Sequence, residues 1–442
     1  FLCPRGIIHS FLRYVKDIID KFNGKLLCGD INLVLDNFSH DTRTIQEGDI
    51  YVGIKGESFD GNKFYKDALE KGAKACILDN TTLVDTDRYG DKTIILVDNT
   101  LECISKLAKY KRSLLNIPVV AITGSVGKTS TKDMVASVLS TKYKVLKTEG
   151  NNNNNIGLPF TILRYKDEDV MVIEMGMNHF GEISYLTDIV RPTIGVITNI
   201  GTAHIGILGS RENILKAKLE IIEGLNGPLI INNDNDILHD NIEYIRSLNK
   251  IITIGIDNDS DYMATDIDYD AEGCARFNVI DYGNNLGRIE LSVPGEHNVL
   301  NALSAIALAS SYDISFEDIK KGIKKYKGAS RRLEYKGKFK GACVYDDYGH
   351  HPTEIMATSN AIHKKQYNES WVIFEAHTYS RAYKHKVDFA KALKNFDHII
   401  VTDIYAAREE NVYGITEDDI VKAIKKYGKE AFYISNYDDI KL

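Results

Sequence analysis

The stretch Thr123-Gly124-Ser125-Val126-Gly127-Lys128-Thr129-Ser130 concentrates groups that can hold phosphate. It follows the apolar run Pro118–Thr123 and precedes a segment in which Met134, Val135, Val138 and Leu139 share one helical face. Strand, glycine turn and helix in that order form the context of a phosphate loop. Gly124 and Gly127 let backbone N–H groups turn inward, and the helix N-terminus adds partial positive charge. Lys128 can set its ammonium between the β and γ phosphates, and Thr129 can offer its hydroxyl to Mg²⁺. Gly124, Ser125, Gly127, Lys128, Thr129 and Ser130 are therefore the expected ATP contacts. The spacing, G-x-x-G-K-T, is shorter than the usual pattern. The coincidence of strand, loop, lysine, hydroxyl pair and amphipathic helix carries the reading.

Other residues gain meaning from where they stand. Glu174 ends the apolar run Val170–Glu174, and a carboxylate at a strand's C-terminal end suits a metal beside phosphates. Its bland alternative is a helix cap. His204 follows the run Ile194–Thr198; alone it would read as a structural hydrogen-bonder. Lys218 alone would read as a solvated helical lysine, and Asn151–Asn155 as a disordered loop. Asparagine amides also tolerate turns and can hold polar groups of a substrate.

The elements that must position these residues alternate between strand and helix. Residues 1–112 mix short strands (Asp49–Ile54, Ala75–Leu78) with helices at Lys63–Lys71 and Lys106–Leu115, a small α/β unit. Residues 113–328 hold buried strands at Pro118–Thr123, Val170–Glu174, Ile194–Thr198 and Pro228–Asn232. A strand-rich tract follows from Ile251 to Val293, then a helix at Gly295–Ser310. This is the pattern of a parallel sheet covered by helices. Residues 329–442 alternate again: strands at Ala342–Tyr345, Trp371–Phe374 and His398–Thr402, helices at Pro352–Ile362 and Lys386–Lys394. The expected fold is α/β with three domains: a small N-terminal unit, a central doubly wound sheet carrying the phosphate loop, and a C-terminal Rossmann-like sheet.

These motifs together resemble the Mur ligase family, whose phosphate loop has the same short spacing. Gly150-Asn-Asn-Asn-Asn-Asn155-Ile-Gly157-Leu-Pro159 is similar to the N-x-N-N-x-x-G-x-P segment of MurF-type ligases, which marks Asn152 and Asn154 as substrate contacts. Glu174-Met-Gly176 resembles the family's metal-binding E-M-G. Asn199-Ile-Gly-Thr-Ala203-His204 carries the histidine of a second metal site. Lys218 matches a lysine that takes up CO₂ in MurE and MurF types, becoming an N6-carboxylated metal ligand. The resemblance thus implies two Mg²⁺ sites on Thr129, Glu174, His204 and Lys218. Asn232 with Asp234, and His297-Asn298-Val-Leu-Asn301, resemble the segments near adenine. Arg332 and Asp346-Asp347 resemble the groups that the third domain brings to ATP when it closes.

The parts of the chain resemble different members. Asp41-Thr42-Arg43, Gly48-Asp49-Ile50 and Asp60-Gly61-Asn62 resemble the MurF-type segments that hold the UDP-sugar end of the acceptor, which makes Thr42 and Arg43 substrate contacts. The glycine-rich loop that opens the MurC type is absent. Yet Asp346-Asp347-Tyr348-Gly349-His350-His351-Pro352-Thr353-Glu354, Phe374-Glu-Ala-His377-Thr-Tyr379-Ser380-Arg381 and Asp403-Ile-Tyr405-Ala-Ala-Arg408-Glu409 resemble the alanine-adding MurC type. There the residues matching His377 and Arg381 line the amino-acid site; His350 joins them as an expected substrate contact.

The implied activity is ATP-dependent, ADP-forming ligation of a carboxylate to an amine in peptidoglycan synthesis. The favoured form adds D-alanyl-D-alanine to UDP-N-acetylmuramoyl-tripeptide through an acyl phosphate. The alternatives are an L-alanine-adding ligase, a Mur-like ligase acting outside peptidoglycan, a folylpolyglutamate-synthetase-like ligase, and a non-catalytic nucleotide-binding scaffold. The N-terminal unit argues against the folate type, which begins directly with the phosphate loop.

Composition narrows the partners. The 442 residues are 43% hydrophobic and 26% charged, with a formal charge of −7 and no basic stripe that would suggest nucleic acid. Six scattered cysteines (Cys3, Cys28, Cys76, Cys103, Cys274, Cys343) form no C-x-x-C pair, which fits the cytoplasm. Phe1–Ser10, interrupted by Pro4 and Arg5, does not read as a signal peptide, and no apolar run is long enough to span a bilayer. The expected partners are small molecules, a UDP-linked muramoyl peptide and an amino acid or dipeptide. The protein is expected to be a monomer.

Overall fold

The computed structural model describes residues 14–440 except 57–58, 81–83, 330, 366 and 408. Phe1–Ser10, with Cys3, and Arg408 lie outside the described residues.

The N-terminal sheet runs β1 (Lys25–Cys28), β5 (Thr93–Leu96), β4 (Ala75–Leu78), β3 (Ile50–Val52), β2 (Phe38–Ser39). Only the β1–β5 pair is antiparallel. The strand expected at Asp49–Ile54 is three residues long. The helix expected from Lys63 begins instead as a 3-10 turn, Gly61–Phe64, before Tyr65–Glu70, because the Asp60 side chain accepts the Asn62 N–H and starts the turn early. Asn99 accepts the Glu102 N–H and so starts the next helix at Thr100, earlier than Lys106.

The central sheet has nine strands: β6 (Val119–Thr123), β7 (Val145–Lys147), β8 (Val170–Glu174), β9 (Ile194–Ile197), β10 (Leu229–Asn232), β11 (Ile251–Gly255), β12 (Tyr262–Tyr269), β13 (Cys274–Asp281) and β14 (Asn284–Pro294). Their spatial order is β14-β13-β12-β11-β10-β9-β6-β8-β7. From β7 across to β12 neighbouring strands are parallel; β13 and β14 add an antiparallel meander. β6, β8, β9 and β10 are buried along their whole lengths, as expected of strands covered on both faces. One apolar cluster fills each face of the sheet. The second includes the helix His297–Ser310, packed with the helix Lys128–Leu139.

The C-terminal part divides into two small sheets. β15 (Glu334–Phe339) and β16 (Ala342–Asp346) form an antiparallel hairpin; β17 (Trp371–Phe374), β18 (His398–Val401) and β19 (Ala431–Tyr433) form a parallel sheet. The strand expected at Ala342–Tyr345 thus pairs outside the parallel sheet. Lys340 and Gly341, with φ of 48° and 92°, supply the two positive-φ positions that a two-residue hairpin turn needs. The helix expected at Lys386–Lys394 starts at Tyr379, with non-helical backbone at His385, and runs to Leu393. Among the described residues no helix is long and apolar enough to cross a membrane.

Candidate active site

The C-terminal ends of adjacent parallel strands bring the chemistry together, as in open α/β sheets generally. β6 delivers the phosphate loop, β8 delivers Glu174, β9 leads to Thr198 and Asn199, and β10 ends at Asn232. The loop must pass very close to β9. A Cβ at Gly124, whose φ is +152°, would lie 1.9 Å from Thr198 Oγ1. Asn199 organises the loop: its carbonyl accepts the Ser125 N–H at 3.1 Å and its Oδ1 accepts the Val126 N–H at 3.0 Å. Thr198 Oγ1 donates to the Val126 carbonyl at 2.6 Å. The helix begins at Lys128, so the N–H groups of its first turn have no intrahelical partner and face the loop.

Two cavities meet at this loop, of about 820 and 880 Å³. Val126, Gly127, Thr129, Arg332 and Glu354 line both. The first extends past Ser130, Asn232, Asn298, Asn301 and Asp347. The second extends past Ser125, Lys128, Asn154, Glu174, His204, Lys218, His350 and Arg381. One compartment suits a nucleoside and the other the groups reacting at its terminal phosphate.

The second cavity holds an unusual set of charges. Lys128 Nζ donates to the Gly124 carbonyl at 2.9 Å, and burial lowers its pKa. Lys218 is only 2% exposed. Burial, reinforced by Lys128, pushes its pKa well down. Burial, with Lys218 and Lys128 as nearby cations, holds His204 at about 4, so its imidazole is neutral. Glu174 is 2% exposed; its Oε1 accepts from Asn153 Nδ2 at 2.8 Å, while its buried Oε2 has no hydrogen-bond partner. A buried, unpartnered carboxylate oxygen calls for a cation. Among the described residues no cluster of three or more His, Cys, Asp or Glu stands ready to hold a metal unaided.

Several expected contacts lie elsewhere. Asn152 is off both cavity walls and packs beneath Gly157, where an added Cβ would lie 2.4 Å from Asn152 Cα. Asn153, the residue that touches Glu174, was not singled out, because an unbroken asparagine run has no internal landmark. Asn154 reaches the wall, but its Oδ1 also accepts the Gly157 N–H at 2.9 Å. Asp346 faces Arg331 at 3.6 Å rather than the cavity; its neighbour Asp347 lines it and accepts the N–H of Leu333 and Gly349. His377 stands behind the wall, with Nδ1 3.3 Å from Arg381 Nη1. Arg43 is 85% exposed, gripped by Asp41 at 2.6 Å, and with Thr42 borders neither cavity. Asn298 and Asn301 use their amides largely on each other, on the Pro294 carbonyl and on Thr131, tying two helices together beneath the nucleotide cavity.

Glu354 closes the Asp346–Glu354 motif but was not among the expected site residues. It pairs with Arg332 at 3.0 Å and accepts the N–H groups of His350 and His351 at 3.1 Å each, and with Arg332 it lines both cavities beside the phosphate loop. The capping signal was present: Glu354 stands three residues after His351 at the start of the helix Pro352–His363.

A phosphate loop between a nucleoside-sized cavity and a cavity rich in cations and carboxylate defines a nucleotide-dependent enzyme of the phosphate-activating kind. Comparison with known proteins agrees. Residues 35–112 match the Mur ligase family catalytic domain, 122–309 the Mur ligase middle domain, and 331–441 the Mur ligase glutamate ligase domain. UDP-N-acetylmuramoyl-tripeptide–D-alanyl-D-alanine ligase of Bacillus subtilis is 37% identical over 350 residues, covering 78% of this chain and 74% of that protein. UDP-N-acetylmuramate–L-alanine ligase of Agathobacter rectalis is 34% identical over 328 residues, covering 73% of this chain and 69% of that protein. The crystal structure of MurF from Acinetobacter baumannii superposes with a TM-score of 0.79 at 28% identity, covering 95% of this chain and 89% of that one. The chain belongs to the Mur ligase family and is an ATP-dependent, ADP-forming ligase.

Proposed function

We propose that this ligase adds D-alanyl-D-alanine to UDP-N-acetylmuramoyl-tripeptide, as a monomer in the cytoplasm. The observation that carries the reading is the pair of cavities joined at the phosphate loop, on a chain whose shape follows a MurF structure over 95% of its length. Residues 1–112 hold the UDP end of the acceptor, 113–328 hold ATP, and 329–442 hold the amine donor.

The acceptor carboxylate attacks the γ-phosphate, giving an acyl phosphate and ADP. The donor amine then attacks the acyl carbon, and phosphate leaves. Lys128 and the free N–H groups of its helix stabilise charge on the transferring phosphoryl group. Thr129, Glu174 and His204 would hold Mg²⁺ at two sites, with Lys218 as a further ligand once carboxylated. Magnesium held there would supply charge neutralisation to the phosphates. The lowered pKa of Lys218 favours this modification, because only the neutral amine reacts with CO₂. Carboxylation also sets an anion beside Lys128 in place of a buried amine. Arg332 and Glu354, paired with each other in the C-terminal part, line both cavities beside the loop, and closure of that part there excludes water from the acyl phosphate.

A second reading, L-alanine addition, is favoured by the compact histidine and arginine lining around His350 and Arg381. The test is phosphate release with the UDP-tripeptide acceptor, offering D-alanyl-D-alanine and L-alanine in parallel. Release with the dipeptide supports the proposal. Release with L-alanine alone, or with neither, refutes it.

A further inference from the structure

Three imidazoles of the donor side are held in defined tautomers by their backbone and arginine partners. His350 Nδ1 lies 3.0 Å from the Tyr348 carbonyl oxygen. A carbonyl only accepts, so Nδ1 carries the proton and Nε2 presents a lone pair. His351 is the reverse. Its Nδ1 accepts the Thr353 N–H at 3.3 Å, which leaves the proton on Nε2. His377 Nδ1 accepts from Arg381 Nη1 at 3.3 Å, so its Nε2 also carries the proton. Adjacent histidines therefore offer opposite chemistry. Of the three, only His350 offers a lone pair at Nε2, and this residue lines the cavity together with Lys128 and Arg381.

The reaction needs such a group. An amino acid or dipeptide enters mainly as an ammonium ion near neutral pH, since α-amino groups titrate near 8. An ammonium nitrogen has no lone pair to form the C–N bond. Arg381 has the charge to hold the donor's carboxylate in the same cavity. We propose that His350 Nε2 is the base that takes the proton from the incoming ammonium group.

The protons and electrons balance. One N–H proton passes to His350. The freed nitrogen lone pair forms the bond to the acyl carbon. The C–O bond to phosphate breaks, its electron pair leaving with phosphate, which takes the second N–H proton. His350 returns its proton to solvent as products leave.

The groups facing His350 suit this task. Glu354, whose Oε2 is 3.8 Å from Nδ1, stabilises the protonated ring, while Arg381 and Arg332 oppose it. Tyr348 packs at 5.3 Å and His377 at 5.7 Å between ring centres, with His351 next in the chain. Burial is the largest influence and holds the ring neutral before the donor arrives. His385 is the competing imidazole on this wall. Its Nδ1 is 3.4 Å from the Asp388 carboxylate, an arrangement that leaves Nε2 as its other ring nitrogen.

The inference rests on the proposed acyl-phosphate reaction, and the test separates the two. His350→Gln and His385→Gln are compared with the parent enzyme from pH 6 to 9, using the donor that supports phosphate release. Hydroxylamine, an amine already neutral at pH 7, is the second nucleophile. His350→Gln is expected to lose about 10²- to 10³-fold in amide formation at pH 7. Its rate should then climb about tenfold per pH unit until the donor's own titration near 8. Hydroxamate should still form, and His385→Gln should keep the parent's pH profile. A His350→Gln enzyme with the parent profile and only a raised donor KM would overturn the inference, as would a profile change in His385→Gln instead. Loss of hydroxamate in His350→Gln would also overturn it, by placing the residue in the phosphoryl step. No hydroxamate from the parent enzyme would count against the acyl phosphate and remove the basis of both readings.

Discussion

Replacing Lys128 with methionine keeps the side-chain stem and removes the charge. The ammonium belongs to a loop that carries phosphate in the proposed complex, and about 4 Å is a representative distance from such a group to a phosphate oxygen. Two unit charges at that separation interact by about 4 kcal/mol at an effective dielectric constant near 20. To the extent that this attraction grows as the phosphoryl group transfers, its loss slows turnover by about 10³-fold. The fold should tolerate the change. Lys128 is desolvated, and the contacts it surrenders are to the Gly124 carbonyl at 2.9 Å and the Ser125 carbonyl at 3.4 Å. Removing a buried cation offsets much of that loss. Phosphate release would be measured beside a thermal melt. A variant that melts like the parent yet keeps more than a tenth of its activity would refute the reasoning; so would one that loses activity only because it unfolds.

Other perturbations probe different atoms of the site. Glu174→Gln keeps the Asn153 contact but removes the charge behind the unpartnered Oε2, so the free protein should melt no lower than the parent while stabilisation by MgATP shrinks; an unchanged MgATP shift would argue against a metal there. Gly124→Ala should abolish nucleotide-induced stabilisation, because its Cβ would strike Thr198 Oγ1 at 1.9 Å; normal nucleotide binding by calorimetry would contradict the loop geometry. His351 titrates at about 4, below its ordinary value, chiefly through burial. The unfolded chain then binds more protons between about 4 and 6.5, so stability rises with pH across that window and falls on acidification. His351→Asn, which can still cap the helix, should flatten part of that fall in pH-dependent melts; an unchanged slope would refute the assignment.

The phosphate loop and the strand-end residues were legible because they are local. Strand, glycines, lysine and helix are contiguous, and Glu174 directly ends a buried run. Four parallel strands of the central sheet are legible as apolar runs and Ile251–Val293 as a strand-rich tract, but the three-residue edge strand Val145–Lys147 is too short to stand out, and periodicity could not tell that β13 and β14 turn antiparallel. The C-terminal part was harder to read. Ala342–Asp346 looks like any buried strand, and only the Lys340-Gly341 turn directs it into a hairpin. Residues whose role depends on long-range contact were the least visible. Asn153 differs from its neighbours in the asparagine run only by where its amide meets Glu174, 21 positions away. Glu354 matters through Arg332, 22 positions earlier. Conversely, Asp346 and Asp347 are equivalent in sequence; the first is the last residue of β16 and faces Arg331, and only the second, just past the strand end, lines the cavity.

The most direct test of the central claim is oxygen transfer. The UDP-tripeptide acceptor would be prepared with ¹⁸O in its reacting carboxylate and turned over with ATP and D-alanyl-D-alanine, and the released phosphate analysed by mass spectrometry. The account predicts one ¹⁸O atom in each phosphate released, because the carboxylate oxygen that attacks phosphorus leaves with it. Phosphate without label during normal amide formation would contradict the acyl phosphate and the mechanism built on it.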